Sequence, residues 1–290
     1  MKTGVIGLGA MGANMARNLA KANHLETVFN RTTSTAEAVA KECACPVSTS
    51  PAELAEKCDL IITCVSRDED VLEMINAIKT TAKPGTIVVD TSTISADTAK
   101  QAAALLKESA IEFLDCPVSG GVEGAKNGTL AVMVGGDEAI LEKIRPTLDA
   151  IAGNIVYIGP TGSGQATKAV NQIMVAGINQ AVTEALAFGD AMGLPMDKVV
   201  DIVSTGAAGN WFLDHRGKTM LAGTFEPGFK MALHHKDLTI CQSMTKSISD
   251  NALPIIEMTL IHYQQLLESD ESYGDEDIST LFRLKQKNLR

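Results

Sequence analysis

The chain opens with Thr3-Gly4-Val5-Ile6 running straight into Gly7-Leu8-Gly9-Ala10-Met11-Gly12, and no other short stretch restricts the fold as strongly. A GxGxxG taken alone is a weak signal, because glycine is common. Here it follows an apolar strand at the very start and opens a helical pattern over residues 11–22, which gives it weight. The first glycine permits a tight turn, the second lets backbone approach a pyrophosphate, and the third lets helix pack on strand. The unpaired N–H groups of the first helical turn then face the phosphates. Gly7, Leu8, Gly9, Ala10, Met11 and Gly12 are therefore candidate cofactor-binding residues; the bland alternative is a glycine-rich turn that holds nothing.

Up to about Gly159, short β-rich runs alternate with helical patterns, which is how a doubly wound parallel sheet reads. Candidate strands are 3–6, 27–29, 60–65, 87–90, 112–117, 131–134 and 156–158. A helix start stands at Ser50-Pro51-Ala52-Glu53, where Ser50 caps, Pro51 suits the first turn and Glu53 completes a capping box. Then the texture changes. Residues 165–192 form one alanine-rich stretch without proline that predicts a single long helix, and everything beyond is helical pattern broken at 206–209, 223–228 and Leu253-Pro254. The expected architecture is α/β: an N-terminal Rossmann domain over residues 1–162, a connecting helix over 163–192, and an all-helical C-terminal domain that, with that helix, spans 163–290. The acid-rich stretch 268–277 reads as a solvated turn before the last helix.

Composition narrows the function. With 45% hydrophobic residues in 290, the chain buries a sizeable core without staples. Its six cysteines contain no CxxC pair and no zinc-like spacing, and His215, His234 and His235 have no carboxylate partner spacing, so no metal is expected. A formal net charge of −10 gives no general attraction for nucleic acid, and no apolar run reaches membrane-spanning length. With no signal-peptide pattern at the start, the cytoplasm is the expected compartment.

At the end of the second strand an NAD enzyme usually presents a carboxylate to the adenosine ribose. This chain has Asn30-Arg31-Thr32 there. Asparagine does not repel a 2′-phosphate, and Arg31 can pair with one through parallel hydrogen bonds, assisted by the Thr32 hydroxyl. The expected cofactor is NADP, with NAD possible. Val65 and Ser66, and Thr93 in Asp90-Thr91-Ser92-Thr93, end further strands facing the same crevice and are candidates for its ribose and nicotinamide end; each could equally cap a helix.

Hydride delivery to a carbonyl carbon leaves charge on oxygen, so a positioned donor must stabilise and protonate it. Lys168, near the start of the long helix, is a candidate, although a single lysine is more often solvated. Three further stretches bear on it: Asp115-Cys116-Pro117-Val118-Ser119-Gly120-Gly121 continuing to Met133-Val134-Gly135-Gly136; Gly159-Pro160-Thr161-Gly162-Ser163-Gly164-Gln165-Ala166-Thr167-Lys168-Ala169-Val170-Asn171-Gln172; and Lys236-Asp237-Leu238. Together with the glycine loop, in this order, they resemble the β-hydroxyacid dehydrogenases over essentially the whole chain.

The resemblance implies hydride transfer between a nicotinamide and a small 3-hydroxy acid or semialdehyde, with Lys168 as general acid/base. It implies that Ser119, Gly120 and Gly121 cradle a substrate carboxylate, and that Lys236 reaches both cofactor and substrate. The family's asparagine often stands four residues after the lysine, whereas this chain has Asn171 at three and Gln172 at four, so both are candidate partners. Trp211, in a glycine-flanked break, is a candidate specificity element. A catalytically silent scaffold of the same fold and an imine reductase-like enzyme are the alternatives. Neither matches a chain that keeps Lys168. The partners expected are a small carboxylate substrate and further copies of the chain, as a homodimer or homotetramer.

Overall fold

The computed structural model describes residues 1–289. Its first compact unit, Met1–Lys168, is built on an eight-stranded sheet. The strands are β1 (Thr3–Ile6), β2 (Leu25–Phe29), β3 (Leu60–Thr63), β4 (Ile87–Asp90), β5 (Glu112–Asp115), β6 (Val118–Ser119), β7 (Leu130–Gly135) and β8 (Ala152–Gly159). Their order is β2-β1-β3-β4-β5-β7-β6, with β8 on β7. The first five run parallel. Neighbours in sequence go to opposite faces: Val5, Ile62 and Val89 join one buried cluster, Ile6, Ile61 and Val88 the other. Both faces are therefore covered by helices, as a near-continuous apolar run in a parallel strand requires.

The sheet departs from the all-parallel expectation beyond β5. Residues 112–117 do not form one strand: β5 stops at Asp115, the chain turns through Cys116-Pro117, and the two-residue β6 follows. β7 then runs antiparallel to both β5 and β6. Only the short helix Gly121–Asn127 separates β6 from β7, too little chain for the crossover a parallel pair needs.

Local signals act as expected at residue 50, where Ser50 Oγ accepts the Glu53 N–H at 3.1 Å. The reciprocal half of the box differs: Glu53 takes the Thr49 N–H and hydroxyl at 2.7 and 2.5 Å.

The helix Ser163–Ala191 gives its first turns, through Lys168, to this unit and the rest to the second. The second unit, from Ala169, is helical: Met196–Ser204, Trp211–Leu221, Met231–Ile248, Pro254–Ser269 and Leu281–Leu289. Its core holds two clusters, one around Phe212, Met220 and Phe282, the other around Met231, Leu238 and Tyr263. The acidic stretch is not simply solvated. Asp277 is buried and accepts the Arg216 guanidinium at 2.7 and 3.0 Å and the Gly228 and Phe229 N–H groups at 3.0 Å each. Burial alone would push its carboxyl up, but Arg216 and the N–H groups hold it below the usual range. Sequence charge counting misses this, because the partner cation lies 61 residues away.

Candidate active site

The glycine loop is shaped by close approach. A Cβ on Gly7, whose φ is +90°, would lie 2.2 Å from the Cys64 carbonyl oxygen, and one on Gly12 would lie 2.0 Å from the Gly7 carbonyl oxygen. Both must be glycine for the turn to close. A Cβ on Gly9 would meet nothing within 4 Å, so the middle glycine leaves bare backbone facing open space. That combination fits a dinucleotide pyrophosphate. Asn30 holds the loop from β2: its Oδ1 accepts the Leu8 N–H at 2.9 Å and its Nδ2 donates to the Thr32 carbonyl at 3.1 Å.

Beside the loop runs an open groove of about 550 Å³, lined among others by Gly9, Ala10, Arg17, Ser34 and Thr35. Ser34 and Thr35 stand in the first turn of the helix Thr33–Cys43. They were not singled out from the sequence, although they directly follow Arg31-Thr32. Thr32 ends the preceding loop without using its side chain as a cap. The Arg31 side chain is 84% exposed and pairs with Asp70 Oδ1 at 3.3 Å.

At the same C-terminal edge of the sheet, after β3 and β4, Val65 donates its N–H to Ser92 Oγ at 2.9 Å, while Ser66 is exposed and Thr93 half-buried. Below them lies a buried carboxyl, Asp90, whose Oδ1 accepts the Thr63 hydroxyl at 2.7 Å and the Ser92 N–H at 3.3 Å. Its Oδ2 is buried with no partner among the described residues. Burial pushes Asp90 up to about 6, against the Ser92 and Thr63 bonds that lower it.

Lys168 is only 8% exposed, and its Nζ donates to the Val118 carbonyl at 2.8 Å. Val118 directly precedes Ser119, so the ammonium is docked on the Ser119-Gly120-Gly121 segment. Gly120 and Gly121 have φ of +129° and +61°, a backbone that favours glycine.

In the second unit four side chains form one chain of bonds. Asn171 Nδ2 donates to Gln172 Oε1 at 2.8 Å, Gln172 Nε2 to Asp237 Oδ2 at 2.6 Å, and Lys236 Nζ stands 2.9 Å from Asp237 Oδ1. Gln172 is buried and Asn171 half-buried. Asp237 links the set and was absent from the sequence candidates; its signal was adjacency to Lys236. Trp211 is 59% exposed and stacks on His215 with ring centres 4.1 Å apart.

Known proteins give this arrangement a class. The family described as the NAD binding domain of 6-phosphogluconate dehydrogenase matches residues 2–159, and that described as NAD-binding of NADP-dependent 3-hydroxyisobutyrate dehydrogenase matches residues 162–285. An oxidoreductase of Shewanella frigidimarina is 40% identical over 242 residues, 82% of this chain and 83% of its own length. The 2-hydroxy-3-oxopropionate reductase of Escherichia coli is 39% identical over 258 residues, 87% of this chain and 86% of its own. Among solved structures, a Mycobacterium tuberculosis 3-hydroxyisobutyrate dehydrogenase with L-serine has a TM-score of 0.88 at 31% identity, covering 98% of each chain.

The fold and the loop thus define a nicotinamide-dependent oxidoreductase. The chain belongs to the β-hydroxyacid dehydrogenase family and is an NAD(P)-dependent hydroxyacid dehydrogenase. No helix among the described residues is long and apolar enough to cross a membrane.

Proposed function

We propose that this chain is an NADP-preferring enzyme that interconverts a small 3-hydroxy acid and its semialdehyde, with Lys168 as general acid in reduction and general base in oxidation. The observation that carries the reading is the buried Lys168 ammonium held 2.8 Å from the Val118 carbonyl, one residue before Ser119. A lysine there is not a solvated surface charge. When bound, the nicotinamide supplies the hydride in reduction and takes it up in oxidation. The chain's own residues do the rest. Ser119 and the Gly120 and Gly121 backbone bind the substrate carboxylate; the Lys168 Nζ proton passes to the carbonyl oxygen as negative charge grows there.

Of the two candidates beside Lys168, Asn171 is assigned to the substrate. Gln172 Nε2 is already bonded to Asp237, so Gln172 orients Asn171 from behind. Lys236 keeps the role the family resemblance gives it, toward cofactor and substrate, and Trp211 that of an exposed specificity element.

NADP preference rests on Asn30-Arg31-Thr32, where no carboxylate opposes a 2′-phosphate at the end of β2, and on the hydroxyls of Ser34 and Thr35 in the adjoining helical turn. Val65, Ser66 and Thr93 are assigned to the ribose and nicotinamide end. In domain terms, residues 1–162 hold the cofactor and 163–290 serve substrate and assembly, with cytoplasmic location and a homodimer or homotetramer expected. Exposed Val170 and Met174, one turn apart on the long helix, support assembly.

The test is consumption of NADPH and, separately, NADH against a panel of small semialdehydes, followed by absorbance. Faster NADPH oxidation with at least one semialdehyde supports the reading. Binding of NADPH with no consumption across the panel would favour the silent scaffold.

A further inference from the structure

The long helix that carries Lys168 does not begin freely. Asp115, at the end of β5, is fully buried; its Oδ1 accepts the Gly162 N–H at 2.8 Å and its Oδ2 the Gln165 N–H at 2.9 Å. The Gly162 N–H comes from the residue just before Ser163–Ala191 and the Gln165 N–H from its first turn, where the helix leaves its amides unpaired and its dipole favours an anion. Gln165 adds a second tie. Its Nε2 donates to the Ser92 carbonyl at 2.8 Å and its Oε1 accepts the Ile94 N–H at 3.2 Å, in the loop after β4.

Two glycines allow this approach. A Cβ on Gly135 would lie 2.5 Å from Asp115 Oδ1 and 2.8 Å from the Gly164 nitrogen. One on Gly164 would lie 2.4 Å from the Met133 carbonyl oxygen and 2.6 Å from that of Asp115. The helix start is thus bolted to the ends of β4 and β5 from both sides. Lys168 follows Gln165 by three residues, a rise of about 4.5 Å.

We infer that Asp115 is a positioning residue for the hydride-transfer reaction, which fixes the first turn of the long helix, with Gln165, so that the Lys168 ammonium meets the substrate oxygen. The inference rests on the assignment of Lys168 as the proton-transferring group. Helices end loosely unless capped, and a misplacement near 1 Å can cost about 100-fold in rate. Asp115 touches neither substrate nor cofactor in this role. Its effect passes through Lys168, and that separates it from a residue that merely stabilises the fold.

The test is a double-mutant cycle on the full chain. Asp115→Asn keeps the size and one acceptor oxygen but turns an N–H donor toward the helix and removes the charge. Its kcat is expected to fall about 100-fold with the KM for NADPH within about twofold, whereas in a Lys168→Ala background the same change should cost less than about threefold. A structural role would subtract equally in both backgrounds, and that result, or an unchanged kcat in the Lys168 background, would overturn the inference. Should Asp115→Asn fail to fold, Gln165→Met, which removes the second tie at similar volume, takes its place in the cycle with the same split expected and the same equal-loss result overturning it. Full activity of Lys168→Ala would instead remove the proton-transfer assignment itself, so the two failures are read separately.

Discussion

The glycine loop is shaped by backbone and by space: Gly7 and Gly12 are pinned by carbonyl oxygens, while Gly9 faces nothing and the flanking Arg31 is almost wholly exposed. Around Lys168 the materials are reversed. Buried side chains hold the start of the helix that carries it, with Asp115, Gln165 and Ser92 forming a network whose members each bond to backbone. The contrast fits the two tasks proposed for these regions. A pyrophosphate is the same in every nicotinamide cofactor and needs only donors and room, whereas a proton must be delivered to one oxygen at one distance. It also separates what is tunable from what is fixed: an exposed arginine can be exchanged at little cost to the fold, a buried carboxylate cannot.

The largest effect is expected at the chemical end. Lys168→Ala should lower kcat about 1000-fold while NADPH affinity, measured by fluorescence titration, changes little. A comparable loss of NADPH affinity would erase the division between the two ends.

Within the loop, the glycines should split. Gly12→Ala places a methyl against the Gly7 carbonyl and should lower stability by about 3 kcal/mol in denaturant melts, with loss of cofactor binding. Gly9→Ala has room, so its melt should match the wild type while NADPH binding weakens. Equal melts for the two variants would contradict the close-approach account.

Asp90 sharpens the picture of the buried end through pH. Its carboxyl is raised from an ordinary 3.8 to about 6 by burial, so the folded state keeps the proton over a range where the unfolded chain has released it. Stability from this group is complete below about pH 4 and is lost as pH rises to about 6, a change of roughly 3 kcal/mol. Asp90→Asn keeps an acceptor for Thr63 and Ser92 and should flatten that part of the stability profile. Parallel wild-type and variant profiles would show that Asp90 does not hold the proton.

The smallest effect is expected at the exposed rim. Arg31→Ala should reduce the preference for NADPH over NADH by about tenfold, the low end for a lost charge-assisted contact, because solvent screens a side chain this exposed. An unchanged ratio in paired steady-state assays would assign the preference to other groups, with Ser34 and Thr35 the first to try.

The same contrast explains what could be read from the sequence. The loop was legible because its physics is local: strand, three glycines and helix lie within a dozen residues. Lys168 and Ser119-Gly120-Gly121 became candidates through a family pattern, yet the bond from Lys168 to the Val118 carbonyl joins residues 50 apart and had no local sign. Asp115 stood in plain view inside its motif, but its function as an anchor depends on close approach at Gly135 and Gly164, which no local spacing shows. Gln172 was weighed against Asn171 on the family's asparagine and on helical spacing, and the bond that distinguishes them, to Asp237, comes from 65 residues away. In the sheet, the reversal at β7 was hidden because a strand's direction is set by its connection, not by its residues.

The central claim, that Lys168 moves the proton, is tested most directly by chemical rescue. Small primary amines are added to Lys168→Ala with NADPH and the best semialdehyde of the panel. The account predicts that amines restore turnover in a saturable way and that the restored rate tracks amine basicity, since a free ammonium then stands where Nζ stood. A variant that turns over normally without amine, or one that no amine restores although it folds and binds NADPH, would contradict it.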